Sequence, residues 1–287
     1  MHDQAELLRQ RILKKVNVQA AKVIAIVSGK GGVGKSNFSL NFSIGLAKLH
    51  KKVLIMDIDV GMGNIDILIG QTGRYTMADH FNEGIPLRMA ISTGPEGIHY
   101  IPGGTGLTEL FRMNQNQFDR FSDQFQRILE EYDYIILDMG AGISEQSLQF
   151  IVPADDLIFI TTPEPTAITD AYSMMKYLVM KTDAPYYLLC NRASNRKEGV
   201  EVILRLKRAA QQFLHKEVSS LGILPDDKTV QRAVIRQIPF ILLNPYAPSS
   251  GALNKIIEHY IGVTALEENQ PVSFMKKMKN FLFERKA

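Results

Sequence analysis

The chain has 287 residues, 45% hydrophobic and 22% charged, which suits one large or two small domains and excludes a wholly disordered or coiled-coil protein. Its net charge of +3 is too small to assign a nucleic-acid partner from the total. That charge is unevenly placed: residues 1–22 carry +3 and residues 271–287 carry +4, which leaves −4 on the body between them.

The chain begins Met1-His2-Asp3-Gln4, without the charged start and apolar centre of a signal peptide. Residues 1–20 precede any strand pattern, and Asp3-Gln4-Ala5-Glu6-Leu7-Leu8-Arg9 reads by itself as the polar start of a short helix. From Lys22 onward, short apolar runs alternate with longer amphipathic ones. Val23-Ile24-Ala25-Ile26-Val27, a glycine loop, a helical pattern to about Leu49 and Val53-Leu54-Ile55-Met56 read as strand, helix, strand. The same rhythm returns at Tyr134-Ile135-Ile136-Leu137, Leu157-Ile158-Phe159-Ile160, Tyr186-Tyr187-Leu188-Leu189 and Leu221-Gly222-Ile223-Leu224. Strands without polar alternation belong to a parallel sheet covered on both faces, so the expected fold is α/β, a doubly wound, mainly parallel sheet. Nothing splits residues 21–265, which read as one domain. The single cysteine, Cys190, excludes an intramolecular disulfide framework or a cysteine-rich zinc or iron–sulfur site within one chain, and a reducing cytoplasm is expected.

Residues 266–287 read as a linker and a final helix. On a helical wheel Phe274, Met275, Met278, Phe281 and Leu282 share an arc of about 120°, with Lys276, Lys277 and Lys279 opposite and Phe283 off the apolar face. Such a stripe either docks on its own domain or lies on an anionic membrane surface, and three lysines beside large apolar groups favour the membrane. No apolar run approaches the roughly 20 residues of a membrane span, so the protein is expected to be soluble and at most peripheral.

The chemistry concentrates where strands end. Gly29-Lys30-Gly31-Gly32-Val33-Gly34-Lys35-Ser36 matches G-x-x-x-x-G-K-[ST] between a strand and a helix pattern. Glycines there let backbone N–H groups turn toward phosphates, and the helix N-terminus adds partial positive charge. Lys35 would contact the β- and γ-phosphates and Ser36 would ligate magnesium. Asp57 and Asp59 end the second strand, where open α/β sheets bind ligands. Asp138 ends a buried strand in the form of a Walker B element, which holds magnesium through its water shell. Glu164 follows a strand and precedes a helix, where a plain helix-start acid is the alternative. An amide side chain such as Asn191 suits a base edge because it donates and accepts at once.

The K-G-G-x-G-K-S loop, with its second lysine Lys30, resembles the deviant Walker A loop of the MinD/ParA family. That resemblance implies an ATPase whose dimer sandwiches ATP and Mg2+, with Lys30 reaching the partner's phosphates, although a solvated loop charge is the alternative. Asp57-Ile58-Asp59-Val60-Gly61-Met62-Gly63-Asn64 resembles the family's switch I, which assigns Asp59 to the attacking water and Asp57 to the magnesium shell. Family likeness places Glu164 near the opposite subunit's nucleotide, Asn191-Arg192 on adenine, and Pro225-Asp226 beside the base, where a simple turn is equally compatible.

Asp138-Met139-Gly140-Ala141-Gly142 has Gly140 where MinD itself is typified by proline, and this variant resembles the flagellar branch, FlhG (also called YlxH or FleN). The N-terminal D-Q-A-x-x-L-R resembles that branch's activator of FlhF, a GTPase of the signal-recognition-particle type. Asp3, Gln4, Ala5, Leu8 and Arg9 would then act on the partner GTPase, with Gln4 positioning its attacking water. The branch implies control of flagellar number or placement, contacts with basal-body or C-ring components, and reversible peripheral membrane residence. The alternatives are a DNA-partitioning ParA, to which the −4 body is ill suited, and a P-loop metabolic phosphotransferase. No specific nucleic-acid partner is expected.

Overall fold

A computed structural model describes residues 20–59, 63–104, 114–264 and 273–284. Among these, eight strands form one sheet in the order β3-β4-β2-β5-β1-β6-β7-β8. The strands are β1 (Lys22–Val27), β2 (Val53–Ile58), β3 (Ser92–Thr93), β4 (His99–Ile101), β5 (Tyr134–Met139), β6 (Asp156–Thr161), β7 (Tyr186–Ala193) and β8 (Val218–Pro225). All neighbours are parallel except β3 and β4. The six runs expected as strands are all present. β3 and β4, at two and three residues, are too short to show a period of their own.

The burial of β1 explains its continuous apolar pattern. Val23, Ala25 and Val27 enter one core, while Ile24 and Ile26 enter a second core on the opposite face of the sheet. Helices α1 (Lys35–Lys48), α2 (Ile65–Ile69), α3 (Met77–Asn82), α4 (Gln115–Leu129), α5 (Glu145–Ile151), α6 (Pro165–Leu178), α7 (Arg196–Ala209), α8 (Lys228–Arg236), α9 (Phe240–Leu243), α10 (Pro248–Thr264) and α11 (Phe274–Lys279) complete the layers. α1 is buried from Phe38 through Leu46, with the polar Asn41 accepting from the Ile241 N–H at 3.0 Å. No helix among the described residues is long and apolar enough to cross a membrane.

The terminal helix departs from the lipid-facing expectation. Phe274, Met275 and Met278 are buried in the core that also holds Phe118, Phe121 and Phe125 of α4, and Phe281 and Leu282 pack against it. Phe274 meets Phe125 with ring centroids 5.4 Å apart. Phe283, placed off the apolar face by an ideal wheel, meets Phe118 edge-on at 5.3 Å. The reason is that α11 continues as a π turn over Asn280–Glu284, whose wider i→i+5 bonding turns each residue less than an α-helix does. Lys276 and Lys279 face solvent, but Lys277 is bonded to Asp155 at 2.9 Å. The expected activator residues Asp3, Gln4, Ala5, Leu8 and Arg9 lie outside the described residues.

Candidate functional site

The glycine loop joins β1 to α1 beneath the carboxyl ends of the central strands. Gly34 has φ 91°, and a Cβ on it would stand 2.4 Å from the Asn191 amide nitrogen. A Cβ on Gly29 would stand 2.3 Å from the Asp170 backbone, so this loop fits against α6 only as glycine. Gly34 supplies no side-chain cap to α1, and no acid occupies the helix's first turn. Its leading N–H groups therefore face an anion site with nothing of opposite sign upon them.

Asp57 and Asp138 are direct partners across β2 and β5, and both are fully buried. Asp57 accepts backbone N–H bonds from Asp59, Asn64 and Ile65 at 3.1, 2.7 and 3.3 Å. Burial, reinforced by the Asp138 charge, pushes the Asp57 carboxyl up to about 7 against those bonds. On Asp138, Oδ1 accepts from Ser39 at 2.9 Å and lies 3.4 Å from Lys35 Nζ, while Oδ2 is buried without a partner. Two buried carboxylates, one with an orphaned oxygen, make an electrostatic demand that a hard cation satisfies. The expected donors, the Ser36 hydroxyl with Asp57 and Asp138, are all oxygen, as magnesium prefers. Among the described residues no three or more His, Cys, Asp or Glu side chains come together as a metal site.

Asp59 stands at the end of β2, and a Cβ on Gly140 would lie 3.2 Å from its Oδ1. Glycine at 140 thus leaves room for the Asp59 carboxylate. Val60, Gly61 and Met62 of the expected switch I lie outside the described residues.

Lys30 points elsewhere than Lys35. Its Nζ bonds Glu164 Oε2 at 2.6 Å and Thr166 Oγ1 at 3.0 Å, at the exposed rim of the site. Lys30 beside Glu164 holds the carboxyl below its usual range. This pair is exposed, so solvent screens it and it exchanges readily. Asn191 donates to the Val33 carbonyl at 2.7 Å, and its oxygen accepts from the Arg192 N–H at 2.9 Å. The Asp226 N–H donates to the Ala193 carbonyl at 2.9 Å, which brings Pro225-Asp226 beside Asn191-Arg192.

The fold therefore gathers Gly29–Ser36, Asp57, Asp59, Asp138, Glu164, Asn191, Arg192, Pro225 and Asp226 along one end of the sheet. Two participants escaped sequence reading. Ser39 lies one helical turn beyond Lys35 and so faces Asp138, a signal present in the i, i+4 spacing. Thr166 closes the Thr162-Pro163-Glu164-Pro165-Thr166 segment, in which only Glu164 was marked by type.

A family model described as "ParA: NUBPL iron-transfer P-loop NTPase" matches residues 19–261. The antiactivator FleN of Pseudomonas aeruginosa is 32% identical over 222 residues, 77% of this chain and 79% of that protein. The chain belongs to the MinD/ParA family of P-loop ATPases. Within this MinD/ParA family it is of the FlhG/FleN type, since the flagellum site-determining protein YlxH of Helicobacter pylori is also similar, at 34% identity over 74% of this chain and 72% of that protein. The MinD-like fold is shown by a Pyrococcus horikoshii septum site-determining protein MinD, solved in complex with Mg-ADP. It superposes with a TM-score of 0.71 at 23% identity, covering 86% of this chain and 98% of that one.

Proposed function

We propose that this MinD/ParA ATPase is a dimerising, membrane-associating switch that sets flagellar number or placement and stimulates the GTPase FlhF. The observation that carries the reading is the division of labour between two loop lysines. Lys35 alone points at Asp138, while Lys30 waits at the rim on Glu164. A monomeric phosphate site has no use for the second cation; a partner's phosphates do.

In this reading the N–H groups of residues 29–36 and Lys35 hold the phosphates, and Asn191, Arg192, Pro225 and Asp226 surround the adenine. Magnesium, when bound by Ser36, Asp57 and Asp138, neutralises phosphate charge. Asp59 accepts a hydrogen bond from the attacking water and aims it in line with the leaving oxygen. Lys30 exchanges Glu164 for the partner's phosphates and offsets charge that develops there, so hydrolysis requires the dimer. Glu164, released, faces the partner's nucleotide.

The output is carried by the two chain ends. Docking buries Phe274, Met275 and Met278, a gain on the order of 5 to 9 kcal/mol in the ideal limit. Burial in lipid returns a similar amount, so small contributions decide between domain and membrane. Lys276 and Lys279 add attraction to an anionic leaflet, and pairing two helices in an ATP-held dimer adds avidity. Residues 1–20, led by Asp3, Gln4, Ala5, Leu8 and Arg9, would engage FlhF, with Gln4 at its attacking water. Residues 21–265 form the ATPase unit and residues 266–287 the linker and releasable helix. Basal-body or C-ring components would be the partners read out by nucleotide state.

Iron transfer, named in the family description, is disfavoured by Cys190. It is the one cysteine of the chain, fully buried, and burial pushes its thiol up to about 12. DNA partition is disfavoured by the −4 body. Asp59→Ala is expected to bind ATP normally while phosphate release falls by about a hundredfold. Wild-type turnover in that variant would remove Asp59 from the water-positioning role and leave the proposed mechanism without its base.

A further inference from the structure

A trough of about 760 Å³ runs along the open edge of β8, between α7 on one face of the sheet and α10 on the other, with none of residues 29–36 in its lining. Its walls are apolar: Val200 and Leu204 of α7, Ile223 of β8 and Ile256 of α10. It is open to solvent along its side, with Leu204 44% exposed and Tyr246 at its mouth 96% exposed. The charges on its lining are Arg196, Lys207 and Lys255, with no carboxylate among the lining residues. This polarity is opposite to that of the −4 body around it.

From this arrangement we infer that the trough is a docking site for an acidic amphipathic helix of a partner protein, which seats two or three large apolar side chains between α7 and α10 and pairs flanking carboxylates with Lys207 and Lys255. An apolar floor with a rim of one charge sign is the complement of such a helix. Strand addition at β8 is less well served, because the edge is interrupted. Ser220 and Gly222 pair with Leu188 and Leu189, leaving Leu221 as an extra bulged residue. Gly222 has φ 155°, and a Cβ there would stand 2.5 Å from Ile256 Cγ1. A bulge of this kind blunts an edge against a ninth strand while leaving the side-chain trough open. The chain's own ends do not fit as occupants, since residues 1–22 and 271–287 carry +3 and +4. The trough shares only Pro225 with the residues assigned to the nucleotide, and the residues that would seat the helix, Val200, Leu204, Lys207, Lys255 and Ile256, have no part in the proposed ATPase cycle.

The test uses the full chain and three fluorescein-labelled peptides of about four helical turns, with leucines on one face and Glu, Gln or Lys on the other. Two variants probe the trough: Lys207→Glu combined with Lys255→Glu, and Gly251→Phe. Gly251 lines the trough and a Cβ on it meets no atom within 4 Å, so a large side chain there starts from open space on the wall. Fluorescence anisotropy should show saturable binding of the Glu peptide, weakened roughly tenfold or more by either variant, and little binding of the Gln and Lys peptides. ATP affinity should be unchanged in both variants, which separates loss of docking from loss of fold. The inference is overturned if the Glu peptide fails to bind, if the Gln or Lys peptide binds as well, or if neither variant weakens binding. Self-association of the peptide-free chain that Gly251→Phe abolishes would assign the trough to a second copy and would equally overturn it.

Discussion

Lys35→Ala is expected to abolish measurable ATP binding and, with it, every ATP-dependent property of the chain. Lys35 is 8% exposed and 3.4 Å from Asp138 Oδ1, so it is the nearest cation to the buried carboxylates. Its ammonium would make charge-assisted bonds to phosphate oxygens, each worth about 1.5 to 3 kcal/mol. Loss of two such bonds corresponds to a hundredfold to ten-thousandfold rise in Kd, at about 1.4 kcal/mol per factor of ten. Isothermal titration with ATP and magnesium reads this directly, and a melting curve separates it from misfolding. The variant should still fold, because Asp138 Oδ1 keeps its hydrogen bond from the Ser39 hydroxyl. Unchanged ATP affinity would mean that the loop does not hold phosphate as described.

Phe118→Ala should shift the terminal helix from domain to membrane. Phe118 is 2% exposed on α4 and meets Phe283 edge-on, yet it belongs to the body and not to the helix. Its removal weakens the docking surface while leaving every lipid-facing candidate, Phe274 to Leu282, intact. Truncating a buried phenylalanine costs about 3 to 5 kcal/mol, part of it from the cavity left in the α4 layer. A corresponding fall in Tm of roughly 5 to 15 °C is expected for a domain of this size. Co-sedimentation with anionic vesicles should rise in the absence of ATP and lose much of its dependence on ATP. Vesicle binding that falls or stays unchanged in a folded Phe118→Ala protein would show that undocking is not what limits membrane association.

Much of this fold and site was legible because the relevant signals are local. The apolar runs of β1, β2 and β5 to β8 announce a sheet buried on both faces, and the loop glycines announce phosphate contact. Asp57 and Asp138 were found as strand-end acids. What their sequence could not give is their pairing across adjacent strands, which adds the Asp138 charge to the burial that raises Asp57 to about 7. For a similar reason, the docking of the terminal helix on the domain was not legible. Its apolar arc is real, but the stripe of Phe118, Phe121 and Phe125 that covers it lies some 150 residues away, and the two match only in three dimensions. The bond between Thr166 and Lys30 likewise joins a helix start and a loop that the chain brings together only after folding.

Sedimentation velocity of the wild-type chain and Lys30→Ala, each with magnesium and either ATP or ADP, tests the central claim most directly. Wild-type protein should sediment as a dimer with ATP and as a monomer with ADP, whereas Lys30→Ala should bind ATP yet remain monomeric, because its cation no longer reaches the partner's phosphates. A wild-type chain with the same sedimentation coefficient in ATP and ADP, or a Lys30→Ala chain that dimerises as the wild type does, would contradict the account.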